Sequence, residues 1–285
     1  MQNQLGKLYV VATPIGNLAD FSGRAKQILA DVDLIAAEDT RHISQLLQHY
    51  GISNKLQSLH LHNEDKVSVQ LVERLLKGES IALVSDAGTP LLSDPGMPLV
   101  KLAKDSGIEV SPIPGACAVI AALSASGLAI NQFSFEGFLP RTSSARLAFF
   151  ETKKDAPSTW VFYESKHRII ATIKDLVLIL PNDRLIVIAR EMTKLYETIK
   201  RLPLSEALAF FENDKNQCKG EFVIIIDAAP KKITPQQLSD EQLRILTLLL
   251  EECSLKTAVA LAVKITAVKK KILYQAALNL SADKR

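Results

Sequence analysis

The sequence holds only three cysteines, Cys117, Cys218 and Cys253, far apart and with no Cys-x-x-Cys between them. That spacing argues against a disulfide framework and against a cysteine zinc site. No apolar run approaches the length of a membrane span, and the first six residues lack the basic, apolar and small-residue pattern of a leader. A reduced, cytoplasmic setting is the expectation. Net charge is scarce too: at +3 it does not by itself imply a nucleic-acid partner. The chain also lacks Gly-x-Gly-x-x-Gly with a following ribose-reading acid, and it lacks Gly-x-x-x-x-Gly-Lys-[Ser/Thr]. NAD binding and a nucleotide phosphate cradle are therefore disfavoured. There is no internal repeat and no low-complexity stretch.

What the chain has is the bulk of a soluble globular protein: 285 residues, 47% hydrophobic against 23% charged, enough for two ordinary domains without staples. Its charge is unevenly placed. From Pro230 onward, 10 Lys and Arg face 5 acids, so this tail carries +5 and the preceding residues sum to −2.

Short apolar runs at residues 8–12, 33–37, 81–84 and 109–111 read as buried strands, and 57–61 as an extended segment. They alternate with helical spacings at 23–30, after His42, at 67–76 and at 97–104. Such alternation predicts a parallel sheet covered by helices. A small-residue helix over 116–126 leads into a different pattern. Strands are expected at 133–138, 158–163, 185–189 and 222–226, with helices near 146–151, 167–178 and 204–213. The expected organisation is an N-terminal α/β domain over 1–115, a second mixed α/β domain over 116–229, and a basic helical tail over 230–285. After the Pro-bracketed linker Pro230 to Pro235, the tail should hold helices at about 239–251, 255–264 and 269–280. The last two form a helix-turn-helix pattern with Ser254 as N-cap.

Ligands of open parallel sheets collect beyond the carboxyl ends of the strands. Here that edge comprises residues 13–17, 38–42, 60–65, 85–90 and 112–115, which hold most of the domain's unusual polar and glycine-containing sequence. Gly16 and Gly88 allow backbone to approach a ligand closely. The same glycines and prolines also serve simply to make turns, and the pattern alone does not separate the two readings.

The run Leu8-Tyr9-Val10-Val11-Ala12-Thr13-Pro14-Ile15-Gly16-Asn17-Leu18, followed by Leu34-Ile35-Ala36-Ala37-Glu38-Asp39-Thr40-Arg41, resembles the opening of the bacterial small-subunit ribosomal RNA ribose 2′-O-methyltransferase I family. Ala82-Leu83-Val84-Ser85-Asp86-Ala87-Gly88-Thr89-Pro90 and then Ser93-Asp94-Pro95-Gly96 are similar to its central signature. Pro112-Ile113-Pro114-Gly115, Phe135-Glu136-Gly137-Phe138-Leu139-Pro140, Phe162-Tyr163-Glu164-Ser165, Ala189-Arg190-Glu191 and Lys219-Gly220-Glu221-Phe222 continue the likeness in order. The resemblance implies a tetrapyrrole-methylase-like α/β fold of two domains enclosing S-adenosylmethionine, with a small C-terminal helical extension. It implies that Pro14, Gly16, Asp86, Ala87, Gly88, Ile113 and Pro114 surround the cofactor, with backbone of Ile113 on the adenine side. It further implies 2′-O-methylation of a cytidine in the decoding region of 16S rRNA within the small subunit, and a homodimer. One departure stands out: the family's Pro-Gly-Pro-Ser-Ala is here Pro114-Gly115-Ala116-Cys117-Ala118, which replaces a hydroxyl by a thiol that we read as packing.

Methyl transfer to a ribose hydroxyl needs alignment and a proton acceptor. From the strand-end loops, the catalytic candidates are Glu38, Asp39, Arg41, His62 and Glu64. Arg41, Arg141, Arg190 and Lys194 are candidates for phosphate or charge contacts. Glu38, Asp39 and Arg41 also read as a local salt-bridge and helix-start cluster. His60 and His62 are too few for a metal site. Lys269-Lys270-Lys271 is the tail's strongest candidate for RNA contact, although such a run is also an ordinary solvated helix start. Tyr163 is read as a core aromatic or as a residue closing the cleft. Lys219-Gly220-Glu221 is a turn, a cofactor-facing loop, or both. The rival readings are a tetrapyrrole methyltransferase with the same fold, and a noncatalytic ribosome-associated RNA-binding protein.

Overall fold

The computed structural model describes residues 5–230 and 238–282. The first half alternates strand and helix: β1 Lys7–Val11, α1 Gly23–Asp31, β2 Leu34–Ala37, α2 Thr40–His49, β3 Leu56–Ser58, α3 Glu64–Leu76, β4 Ile81–Val84, α4 Met97–Asp105 and β5 Glu109–Ile113. The strands form one sheet in the order β3-β2-β4-β1-β5, with every pairing parallel. Because a parallel sheet is covered on both faces, its interior strands β2 and β4 read as unbroken apolar runs. β2 and β4 are buried at all four positions. Phe21, Leu29, Ile43 and Leu47 pack on one face against Val11, Ile35 and Val84. Leu71, Leu75, Leu99 and Ala103 pack on the other face against Leu8, Leu34 and Leu83.

α5 Ala118–Ser126 leads to the second sheet. It holds β6 Phe133–Phe138, β7 Thr159–Ser165, β8 Leu185–Arg190, β9 Thr198–Pro203 and β10 Glu221–Ile226, in the order β6-β7-β10-β8-β9. Only β6 and β7 run parallel; the other pairings are antiparallel. Period-two alternation sends Trp160 and Phe162 toward a core shared with Phe150, Ile173 and Phe211 of α6 Ser143–Lys153, α7 Ile169–Ile179 and α8 Leu204–Asn213. Val161, Val187, Ala189 and Val223 face the opposite way, against Val119, Ala122 and Leu123 of α5. Ile15 from the loop after β1 packs on this second cluster, so the two sheets are joined by apolar contact. Residues up to Ala229 make one compact unit.

One strand escaped the sequence reading. β9 carries Lys200 and Arg201 and pairs only with β8, at the sheet edge. Charges on an edge strand oppose pairing with other chains, and they also erase the apolar alternation that marks an interior strand.

Residues from Pro230 form a separate unit. Its helices are α9 Asp240–Glu252, α10 Leu255–Thr266 and α11 Lys270–Ala282. Ser239 and Gln242 close a capping box at the start of α9, and Ser254 accepts from the Thr257 N–H at 3.4 Å at the start of α10. Leu246, Val259, Ala262, Leu273 and Ala277 form its core. Lys231, Lys232 and Pro235 of the expected linker, and Lys284 and Arg285, lie outside the described residues.

Candidate active site

The loops that follow β1 and β4 are tied to each other before they reach any ligand. Thr13 N–H donates to Gly88 O at 2.9 Å, Gly88 N–H returns to Thr13 O at 3.1 Å, and Thr13 Oγ1 donates to Ser85 O at 3.1 Å. The loop after β2 joins through Asp39 N–H to Asp86 Oδ1 at 3.0 Å. Thr89 Oγ1 donates to Ala116 O at 3.1 Å, which draws in the start of α5. Adjacent central strands thus present their carboxyl ends as one hydrogen-bonded platform.

Above this platform lies a cavity of about 450 Å³, within the size range of small-molecule sites. The first sheet contributes Ile15, Glu38, Asp86, Ala87, Gly88 and Asp94. The second contributes Tyr163, Glu164, Ala189, Met192, Lys194 and Val223, and Cys117 and Ala118 come from the segment between the sheets. A side cavity of about 210 Å³, lined by Pro14, Gly16, Leu18, His42 and Leu46, shares Asp86 with the larger one.

The expected cofactor residues divide accordingly. Asp86, Ala87 and Gly88 line the main cavity, and Pro14 and Gly16 line the side cavity. Ile113 is buried at the end of β5, and its carbonyl accepts from Ala12 N–H at 3.3 Å. Pro114 is exposed. Neither Ile113 nor Pro114 lines either cavity. Cys117 lies at the cavity wall as the N-cap of α5, and its side chain makes no capping bond.

The catalytic candidates also separate. Glu38 faces the main cavity, and its carboxyl is pushed above the usual range by burial and by the like charges of Asp94 and Asp86. Asp39 and Arg41 do not line it. Asp39 accepts from the Arg41 N–H at 2.9 Å as the cap of α2 and is held below the usual carboxylate range by the Arg41 guanidinium, which reaches it at 2.6 Å. Their geometry is that of the local helix-start pair. His62 is exposed, with its N–H on His60 Nδ1 at 3.2 Å. Glu64 points at backbone: its carboxylate accepts the Gly96 N–H at 2.7 Å. Among the described residues no cluster of side chains suits a metal.

The candidate cations differ in the same way. Arg141 is exposed. Arg190 is buried and spends its guanidinium on the carbonyls of Lys219 and Tyr196, at 2.6 and 2.9 Å. Lys194 lines the cavity while donating to Glu191 at 3.1 Å and Glu221 at 2.8 Å. Lys219-Gly220-Glu221 leads into β10, and Glu221 reaches the cavity wall.

Two acids at the cavity were not among the candidates. Glu164 is 2% exposed, and its oxygens accept from Ser165 N–H, Arg168 Nε and Thr172 Oγ1 at 2.7, 2.8 and 2.7 Å. It is fully engaged and serves the wall. Asp94 is different. Burial raises its pKa to about 6; a hydrogen bond from the Ser85 hydroxyl pulls the other way, and the charge of Asp86 adds a lesser upward push. Across the cavity, Tyr163 is pushed above the usual phenol range by burial, Cys117 and Asp94. The available signal for Asp94 was its place in Ser93-Asp94-Pro95-Gly96, a second acid-bearing turn close behind Asp86 in the same loop.

The Tetrapyrrole (Corrin/Porphyrin) Methylases profile matches residues 7–208, and the RsmI C-terminal HTH domain profile matches residues 236–281. The chain is 49% identical over 277 residues to Ribosomal RNA small subunit methyltransferase I of Escherichia coli O157:H7, covering 97% of this chain and 96% of that one. Among solved structures, the methyltransferase CobJ superposes with a TM-score of 0.59 at 18% identity, covering 79% of this chain and 95% of that one. Uroporphyrin-III C-methyl transferase from Thermus thermophilus, complexed with S-adenyl homocysteine, does so with a TM-score of 0.52 at 15% identity, covering 78% and 97%. Those two likenesses establish the fold. From the profile matches and the near end-to-end identity, the chain belongs to the tetrapyrrole methylases and, within them, to the ribosomal RNA small subunit methyltransferase I family.

Proposed function

We propose that the protein transfers a methyl group from S-adenosylmethionine to the ribose 2′-oxygen of a cytidine in 16S ribosomal RNA. The observation that carries this reading is the 49% identity over 97% of the chain, tail included. A shared fold alone leaves the substrate open, whereas likeness through both the cavity and the tail extends to the parts that select it.

The cavity suits a methyl donor bearing a sulfonium and an ammonium group. Glu38 and Asp86 lie on one wall, and the Glu38 carboxyl, pushed up first by burial and then by neighbouring like charges, favours a cation beside it. Ile15, Ala189, Met192 and Val223 supply an apolar wall for an adenosine moiety. When bound, the cofactor supplies an electrophilic methyl group. The protein's task is to hold the acceptor ribose in line with it, exclude water and receive the hydroxyl proton. Asp86, Ala87 and Gly88 hold the donor in this reading, and Asp86, common to both cavities, places the Pro14 and Gly16 loop beside it. The exposed tail lysines provide phosphate contacts. The working form is a cytoplasmic homodimer. Among the described residues no helix is long and apolar enough to cross a membrane.

The test incubates the protein with labelled S-adenosylmethionine and, separately, naked 16S RNA, isolated small subunits and a tetrapyrrole precursor. Label on a cytidine ribose oxygen is the expected result. Label on the macrocycle alone overturns the proposal, and cofactor binding without transfer to any substrate points to a noncatalytic RNA-binding role.

A further inference from the structure

The loop between β4 and α4 is held in an expensive conformation. Leu91 and Ser93 both adopt left-handed backbone, with φ of 75° and 72°, a region that non-glycine residues avoid. Gly96 follows at φ 115°, packed so tightly that a Cβ there would fall 2.6 Å from Leu83 Cδ2. Strain of this kind persists only where surrounding contacts over-determine it, and it gathers at functional sites. Here the anchor is Glu64, at the start of α3, whose carboxylate accepts the Gly96 N–H at 2.7 Å. This arrangement presents Leu92, Ser93 and Asp94 to the cavity, and Asp94 is the titratable group among them.

We propose that Asp94 is the catalytic residue that accepts the proton of the acceptor ribose 2′-hydroxyl, and that Glu64 is the positioning residue that holds its loop. This rests on the ribose methyltransferase reading. As the O–H bond breaks, its proton goes to an Asp94 carboxylate oxygen and an oxygen electron pair forms the new bond to the methyl carbon. The old methyl–sulfur bond breaks with its pair kept by sulfur, leaving a neutral thioether. Protonated Asp94 then returns its proton to solvent.

Other acids near the cavity are occupied. Glu164 has three donors, Glu191 and Glu221 pair with Lys194, and Asp86 accepts the Asp39 N–H. Asp94 faces Ser85 and Asp86 on its own loop, Tyr163 on β7 and Glu38 beyond β2, and no cation contributes to its environment. A pKa of about 6 leaves it ionised at neutral pH while keeping it a stronger base than an ordinary carboxylate. Glu38 is the nearest rival: it accepts one hydrogen bond, from the Asp86 backbone N–H, as Asp94 accepts one from the Ser85 hydroxyl, and the strained backbone on either side of Asp94 is what favours Asp94.

The experiment measures turnover of small-subunit RNA and, separately, cofactor affinity by calorimetry, for wild type, Asp94→Asn, Asp94→Glu, Glu38→Gln, Glu64→Ala and Glu64→Gln. Expected for Asp94→Asn is a loss of kcat of about 100-fold or more, with cofactor Kd changed by less than about threefold, roughly half a pKa unit in free-energy terms. Wild-type kcat/KM for the cofactor should fall on the acid side of about pH 6, because that ratio reports groups of the free enzyme. Asp94→Asn should flatten this limb. Glu38→Gln should keep it and move it to lower pH by removing a like charge. Glu64→Ala should lower kcat by about tenfold to hundredfold through misplacement of the base, with Glu64→Gln restoring much of it and cofactor Kd unchanged in both.

Normal kcat in Asp94→Asn, or a weakened cofactor Kd with kcat intact, overturns the assignment. So does loss of the acid limb in Glu38→Gln rather than in Asp94→Asn. If Asp94→Asn does not fold, the wild-type limb and the Asp94→Glu turnover decide: absence of the limb, or unaltered turnover with the displaced carboxylate, overturns it. A wild-type protein that methylates no ribose defeats the function reading itself. Wild-type ribose methylation with undiminished Asp94→Asn defeats only the role of Asp94.

Discussion

Gly16 and Lys194 meet so closely that a Cβ on Gly16 would fall 2.5 Å from Lys194 Cγ. The contact seats the loop after β1 on the loop after β8, and Lys194 is itself clamped between Glu191 and Glu221. Gly16 lines the side cavity and Lys194 the main one, so a single glycine sets the spacing of two walls.

Gly16→Ala is therefore expected to displace Lys194 and weaken cofactor binding on the order of tenfold, or about 1.4 kcal/mol. Calorimetric titration of the variant checks this. An unchanged Kd would show that Lys194 yields without disturbing the site.

The raised pKa of Asp94 also makes a statement about stability. Its folded value of about 6 lies above the ordinary carboxyl value of 3.8, so between those limits the folded state binds more protons than the unfolded chain. Stability falls as pH rises through that window, and the penalty persists above it. Asp94→Asn should accordingly raise the melting temperature at pH 8 and lose the advantage toward pH 4. A shift of the same size at both pH values would contradict the sign.

Arg146 and Asp175 form a buried pair at 2.7 Å between α6 and α7, with Ser143 also donating to Asp175 at 2.8 Å. Removing one partner strands the other charge in the core. Arg146→Ala should destabilise the protein by about 3–5 kcal/mol in urea unfolding. The double variant Arg146→Met, Asp175→Leu should recover much of that loss, and failure to recover would assign the cost to packing.

Lys269, Lys270 and Lys271 are all exposed at the start of α11. Replacing all three by Ala should weaken RNA binding and lower the slope of log affinity against log salt by about 2, since each lost phosphate contact releases fewer counterions. Cofactor affinity should not change. An unaltered salt slope in filter binding would remove this run from the RNA contact.

Local pattern made much of the first sheet legible. Uninterrupted apolar runs such as 81–84 identify doubly covered strands, and the turn residues after β1 and β4 mark the edge where ligands collect. Glu38 was singled out from the strand-end loops and Asp86 from the family resemblance, and both line the cavity. Asp39 and Arg41 looked equally chemical because a helix start uses the same residues as a charged site. Only the Asp39 capping bond and its ion pair with Arg41 separate the two uses. Glu64 sat in a loop of apparent chemistry, yet its partner is a backbone N–H 32 positions away.

The sequence by itself determined the alternation of strands and helices, the basic tail and the likeness to its family, because periodicity, composition and motif order are local properties of the chain. Tertiary structure decided which acids share the cavity, that Asp94 faces Tyr163 across it, and that Gly16 carries the approach of Lys194. Those relations depend on burial and on distances between segments far apart in the chain. A carboxylate becomes a base or a structural anchor according to the neighbours that folding brings to it.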